Sequence, residues 1–171
     1  YPKSIQSVTL INQLLLTDMI LPHGENGENI PATLSSVDIQ NCPNIIKTVD
    51  LASDPTSLQG MKNCRNLTLN NSIMLERFNF YGFTRLANVN LQNMETLKEI
   101  DFLNMTEVGQ ETSLRYIGVS ACPNLTRISM NCDDPNYEIT WANNSLLDLQ
   151  TAGAVEEISS NCIIKGLETI V

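Results

Sequence analysis

The sequence predicts a mainly β fold made of two parallel strand ladders, built from about six repeats of roughly 22–30 residues each. Three observations predict this fold. Apolar residues recur in the spacing apolar-x-x-apolar-x-apolar, this spacing returns after steps of 11–12 or 17–19 residues, and the long steps always fall on the same side of the repeat. Stacked repeats behave in this way, because each unit buries its apolar face against its neighbours.

The spacing is clearest between Leu75 and Phe102. Leu75, Phe78 and Phe80 hold its three apolar positions, and the same spacing begins again 11 residues later, twice in succession. The last two apolar positions flank one outward residue, which is the period of a strand with one buried face. The spacing defines twelve units along the chain, which end at Leu10, Leu21, Ile39, Leu51, Leu69, Phe80, Leu91, Phe102, Val119, Met130, Leu149 and Ser160.

These units alternate between a first strand, A, and a second strand, B. Every step from A to B spans 11 or 12 residues, whereas every long step runs from B back to A. Insertions confined to one side indicate a tight A-to-B connection and a variable return loop. The predicted repeat is therefore an A–B pair that occurs six times, with a weaker seventh unit through Ile164 and Leu167. The long return loops are predicted at 22–33, 52–63, 106–113 and 131–145.

The A strands and the residues after them resemble leucine-rich repeats, whose pattern is L-x-x-L-x-L-x-x-N/C-x-x-L. The matching residues include Leu34, Val37, Ile39, Cys42 and Ile45, then Leu86, Val89, Leu91, Met94 and Leu97, and then Leu114, Ile117, Val119, Cys122 and Leu125. A second strand soon after the first is most similar to the BspA-like class of bacterial and protist surface proteins. The resemblance covers nearly the whole chain and implies one right-handed solenoid domain over residues 1–171.

The family's Asn/Cys position differs here, because it holds Gln13, Cys42, Ser72, Met94, Cys122 and Ala152. The residue before it is asparagine in four of the six repeats, namely Asn12, Asn41, Asn71 and Asn93. We therefore expect an amide ladder one position earlier than in the family, which would satisfy backbone groups where the chain leaves the A strand.

Two outward columns of the A strands form the candidate binding surface, since proteins of this resemblance bind partners on that sheet. The first column is Thr9, Asp38, Thr68, Asn90, Gly118 and Asp148, and the second is Ile11, Gln40, Asn70, Gln92, Ser120 and Gln150. We take as candidate partner-binding residues Asp38, Gln40, Thr68, Asn70, Asn90, Gln92, Asp148 and Gln150. The alternative is that these are only solvated positions, because neither column contains an aromatic anchor.

Trp141, in the loop predicted at 131–145, is the remaining candidate for a partner anchor. The alternative is that its ring folds back over the gap that Asn144 leaves in the apolar pattern.

Composition excludes several functions. A net charge of −9 argues against binding nucleic acid or an anionic membrane, and no apolar run reaches the ~20 residues of a spanning helix. The single histidine, His23, has no nucleophile motif near it, and the five cysteines lack the clustering of a zinc site. We therefore expect no enzyme, no cofactor and no metal.

Cys132 and Cys162 share one column of successive B strands, and either a disulfide or two reduced thiols fits that placement.

The sequence therefore predicts a non-enzymatic, adhesin-like recognition module that binds a protein or glycan partner, outside the cell or on its surface. The alternative is a structural component of a larger assembly, such as a virion or a surface appendage. The chain begins at Tyr1 and has no evident cap at either end, so we expect it to be a fragment of a longer protein.

Overall fold

The computed structural model describes residues 4–22, 33–48, 58–80, 82–101, 115–129, 138–150, 157–159 and 163–170, with side-chain detail up to residue 128. These residues are mainly β, and their helical structure is one 3-10 turn, Gln59–Met61. The strands are β1 (Ser7–Ile11), β2 (Ser36–Cys42), β3 (Asn66–Ser72), β4 (Arg77–Asn79), β5 (Asn88–Gln92), β6 (Glu99–Asp101), β7 (Tyr116–Ser120), β8 (Arg127–Ser129), β9 (Glu138–Gln150), β10 (Glu157–Ser159) and β11 (Ile163–Ile170).

The strands form two parallel sheets. The larger sheet has seven strands in the order β1-β2-β3-β5-β7-β9-β11, and the smaller has four in the order β10-β8-β6-β4. All the strand pairs are parallel, and from β3 onward the chain visits the two sheets alternately. The prediction of a mainly β fold with parallel strand ladders is confirmed, and β11 is the strand expected of the weaker seventh unit.

In-register pairing stacks equivalent side chains from strand to strand. Ile39 pairs with Leu69, Leu69 with Leu91, and Leu91 with Val119, so the last apolar position of β2, β3, β5 and β7 forms a continuous buried row. The core is one cluster that takes residues from both sheets. Phe80 lies within it and packs edge-on against Phe78 and Phe83, with ring centroids 6.3 and 5.2 Å apart. Such burial of apolar surface is what stabilises stacked strands that are short by themselves.

Each A strand of the first five repeats has a residue with a positive φ within one residue of its C-terminal end. This residue is asparagine in four cases, Asn12, Asn41, Asn71 and Asn93, with φ angles of 57°, 52°, 48° and 53°, and Ala121 in the fifth, at 51°. Asparagine tolerates the left-handed region better than other residues that have a Cβ. The asparagines noted in the sequence therefore sit where the backbone turns sharply out of the sheet.

The amide ladder exists, but its bonds differ from those expected. The Asn41 Nδ2 donates to the Asn12 Oδ1 (2.9 Å), and the Asn71 Nδ2 donates to the Asn41 Oδ1 (3.2 Å), so the amides bond to each other instead of to the backbone. The buried residue after Asn71, which is Ser72, bonds to the backbone instead. The Ser72 hydroxyl accepts the Cys42 N–H (3.1 Å) and donates to the Asn70 carbonyl (2.9 Å).

Cysteine has the same role at the equivalent positions. The Cys42 thiol accepts the Gln13 N–H (3.4 Å) and donates to the Gln40 carbonyl (3.3 Å), and the Cys122 thiol donates to the Ser120 carbonyl (3.3 Å). A small side chain that both donates and accepts suits this buried position, because it leaves no backbone group without a partner.

The second B unit has a different register from the predicted one. In the apolar spacing of the unit that ends at Leu51, Ile46 was expected to point inward. Ile46 is 43% exposed, whereas Ile45 and Thr48 are fully buried. The isolated parallel bridge between Asp18 and Lys47 fixes this register. The A-to-B step is therefore 11 residues here too, and a threonine fills an apolar position because its hydroxyl accepts the Gly60 N–H (3.1 Å).

The loop predicted at 131–145 is also shorter than expected. β9 begins at Glu138, so Trp141 belongs to a strand of the larger sheet and not to a return loop. At the opposite end of the sheet, Val8 and Leu10 of the edge strand β1 are only partly buried. Among the residues described, no helix has the length and apolar character needed to span a membrane.

Candidate binding surface on the seven-stranded sheet

The outer face of the larger sheet is formed by the alternate residues of β2, β3, β5 and β7 that point away from the core. In β3, Leu67 and Leu69 are buried, while Asn66, Thr68 and Asn70 between and beside them are half-buried. The same alternation holds in β2 and β5. The outer face consists of Ser36, Asp38, Gln40, Asn66, Thr68, Asn70, Asn88, Asn90, Gln92, Tyr116, Gly118 and Ser120.

Strand pairing brings eight of the nine candidate residues into two adjacent rows. One row runs Asp38, Thr68, Asn90, Gly118 and Asp148, and the other runs Gln40, Asn70, Gln92, Ser120 and Gln150. Neighbouring residues in a row are about 4.8 Å apart, the spacing of strands in a sheet. Trp141 lies outside both rows, and its side chain, like those of Asp148 and Gln150, is outside the described part of the chain.

Hydrogen bonds along and between the strands fix several of these side chains. The Gln40 Nε2 donates to both carboxylate oxygens of Asp38, at 3.1 Å each. Between strands, the Asn88 Nδ2 donates to the Asn66 Oδ1 (2.7 Å), and the Asn93 Nδ2 donates to the Asn70 Oδ1 (2.9 Å). A primary amide has two donor hydrogens and two acceptor lone pairs, so these bonds orient the amides and leave further bonding capacity for a ligand.

The outer face carries little charge, although the chain as a whole is strongly acidic. Asp38 is the single charged residue among its twelve positions. Charged pairs lie instead on and beside the smaller sheet, where Arg77 bonds to Glu99 and Lys98 lies 2.9 Å from Glu76. Nearly neutral amide surfaces recognise ligands by hydrogen-bond pattern, because long-range attraction contributes little there.

Tyr116 is an outer-face residue that the sequence analysis missed. That analysis counted two outward columns. A third column, two residues before the first in each strand, also points outward and contains Ser36, Asn66, Asn88 and Tyr116. The phenol end of Tyr116 lies over Gly118. A Cβ atom at residue 118 would be 2.3 Å from the tyrosine Oη and 2.7 Å from ring carbons Cε1 and Cζ. The sequence did contain a signal for this arrangement: Tyr116, an aromatic residue in a polar column, stands two positions before Gly118.

Two of the described thiols, Cys64 and Cys122, have little nucleophilic character. Burial raises the pKa of Cys64 to about 12 and also raises the pKa of the Cys122 thiol, so both stay protonated at neutral pH. In the described ranges no three His, Cys, Asp or Glu residues come together in a way that would hold a metal ion. His23 and the Cys132–Cys162 pair lie outside the described residues.

Comparison with known proteins gives no match to a family model, a curated protein or a solved structure. The resemblance to leucine-rich repeats therefore rests on the spacing of residues in the sequence alone.

Proposed function

We propose that this chain is a right-handed, leucine-rich-repeat-like solenoid of about six repeats that acts as a non-enzymatic recognition module. Two features support the solenoid: equivalent apolar positions pair in register across the larger sheet, and the chain alternates between two parallel sheets. The module binds a protein or glycan partner on the outer face, in the manner of an adhesin, and works outside the cell or on its surface.

The observation that carries this proposal is the nearly neutral, hydrogen-bonded amide surface of the outer face. Amides such as Asn66 and Asn88 already hold each other in place before any ligand arrives. Binding to such side chains loses less conformational entropy than binding to free ones. The parallel sheet beneath them is packed on a continuous core, which keeps the surface rigid.

A matched pair of charge substitutions tests this use of the outer face. Asn90→Lys places a long cation in the middle of the outer face, and Asn79→Lys places the same cation on the smaller sheet. Both proteins are tested on a glycan array and on a panel of purified extracellular-matrix proteins. We expect a ligand of the unmodified chain to be lost in Asn90→Lys and retained in Asn79→Lys. Binding unaffected by Asn90→Lys, or absent from both panels, contradicts the proposal.

The second candidate function, a structural component of a larger assembly such as a virion or appendage, is favoured by exposed apolar side chains near β1. Ile11, Leu14, Leu15 and Ile20 are 49%, 57%, 93% and 44% exposed. Clusters of this kind are typical of surfaces that contact another protein. Sedimentation velocity distinguishes the two functions: concentration-dependent association that Leu15→Asp abolishes supports assembly, and a monomer at all concentrations contradicts it.

A further inference from the structure

Tyr116 provides a ring surface in the outer face of the sheet. Its phenol end occupies the space that a side chain at residue 118 would fill, and Gly118 is buried although the residues that share its row on β2, β3 and β5 are half-buried. The phenol end of the ring therefore lies against the backbone of β7 at Gly118. Tyr116 itself is half-buried, so part of its side chain remains accessible from the outer face.

Amide side chains lie next to this ring on β5. Tyr116 pairs with Asn88, and Gly118 pairs with Asn90, so both asparagines are one strand spacing from the tyrosine and the glycine beneath it. The bond from the Asn88 Nδ2 to the Asn66 Oδ1 orients the first amide. A partly exposed aromatic side chain is thus bordered by two amides, of which Asn88 is held by a hydrogen bond.

We infer that Tyr116, Asn88 and Asn90 form a subsite for an uncharged hexopyranose unit of a glycan. This inference rests on the proposed recognition function and names the ligand class of the outer face. A hexopyranose has one face of axial C–H groups that packs on the electron-rich face of an aromatic ring. Its hydroxyls donate and accept hydrogen bonds in the plane of the sugar, as primary amides do.

The composition of the outer face favours a sugar over a protein. Its twelve residues on β2, β3, β5 and β7 include one aromatic side chain and no aliphatic one, and Ile11, next to Gln40, extends the same row on the edge strand β1. A stable protein interface buries about 800 Å² on each partner and has a centre that is enriched in apolar or aromatic side chains. One sugar ring needs a single aromatic surface and a few polar groups. The carboxylate of Asp38, in the same row as Asn90, favours a neutral sugar over an anionic one.

The test is saturation-transfer-difference NMR on the full chain with methyl glycosides of glucose, galactose, mannose and N-acetylglucosamine. We expect at least one to bind, with the transfer concentrated on the axial C–H protons of one face. Tyr116→Ala is expected to weaken binding about tenfold or more, which corresponds to ~1.4 kcal/mol. Tyr116→Phe keeps the ring and is expected to stay within about threefold, which is ~0.7 kcal/mol.

Two further variants test whether sugar binding depends on the position of the Tyr116 ring as well as on its presence. Gly118→Ala retains Tyr116 but displaces its phenol end, so it is expected to weaken binding about as much as Tyr116→Ala. Asn79→Ala, on the smaller sheet, is expected to leave binding unchanged. Circular dichroism and the urea midpoint establish that each variant is folded.

Failure of this inference is distinguishable from failure of the proposed function. If a glycoside binds equally well to Tyr116→Ala, or if none binds, the sugar subsite is wrong. If none binds while a matrix protein binds and is lost in Asn90→Lys, recognition by the outer face stands without the sugar subsite. If neither class of ligand binds, both proposals fall.

Discussion

Ser72→Ala tests how the strands of the larger sheet end. The Ser72 side chain is fully buried, and its hydroxyl bonds to the Cys42 N–H (3.1 Å) and to the Asn70 carbonyl (2.9 Å). Alanine fits the space but leaves the buried Cys42 N–H without a partner. An unsatisfied buried polar group costs about 1–3 kcal/mol, so we expect the free energy of unfolding to fall by about 2 kcal/mol.

The matched control is Ser72→Cys. Cysteine occupies the equivalent position at Cys42 and Cys122, and both thiols donate to the carbonyl two residues earlier at 3.3 Å. Because a thiol also accepts an N–H bond at Cys42, Ser72→Cys should lower the free energy of unfolding by less than about 1 kcal/mol.

Urea unfolding followed by far-ultraviolet circular dichroism measures the difference. With a slope of about 2 kcal/mol per molar urea, Ser72→Ala should lower the midpoint by about 1 M. The reasoning is refuted if Ser72→Ala unfolds at the same midpoint as the unmodified chain. It is also refuted if Ser72→Cys is destabilised as much as Ser72→Ala, because hydrogen bonding at this position would then not decide stability.

Three further predictions concern the core. Ile45→Ala should lower the free energy of unfolding by about 2–5 kcal/mol and Ile46→Ala by less than about 1 kcal/mol, as compared by urea unfolding; equal losses would contradict the register of the second B unit. Gly60→Ala should destabilise the chain by about 2 kcal/mol or more, because its Cβ would lie 2.0 Å from the Thr48 carbonyl oxygen; an unchanged melting temperature would rule out this close approach. Because burial raises the pKa of Cys64 to about 12 from 9.0, the unfolded chain loses this proton first as pH rises. Stability should therefore decline above pH ~9, and this part of the decline should disappear in Cys64→Ala, as measured by urea midpoints between pH 8 and 10.5; an identical pH profile in Cys64→Ala would contradict it.

The sequence by itself was enough to identify the strands of the larger sheet and most of the core, but among the described residues the first two predicted B strands are present only as the isolated bridge between Asp18 and Lys47. Leu67 and Leu69 are buried and Thr68 between them is not, as the period of two requires. This works because a strand's alternation is a local property. The asparagines after the A strands were also visible, since a left-handed residue is demanded by the backbone turn and not by distant contacts.

The candidate surface was predicted in part for the same reason. Its two polar columns follow from alternation alone, whereas the ring of Tyr116 over Gly118 depends on how one side chain lies across another on the same face. The bond between Asn88 and Asn66 likewise exists only because strands far apart in sequence pair in one register.

Only the tertiary structure decided between neighbouring apolar residues. Ile45 and Ile46 are equally apolar, and the sequence accepts either as the inward residue: the leucine-rich-repeat pattern selects Ile45, whereas the spacing of the unit that ends at Leu51 selects Ile46. The pairing of Lys47 with Asp18 and the bond from the Gly60 N–H to the Thr48 hydroxyl select Ile45. Burial of apolar surface is not directional, so hydrogen bonds between distant segments set the register where the apolar pattern allows two.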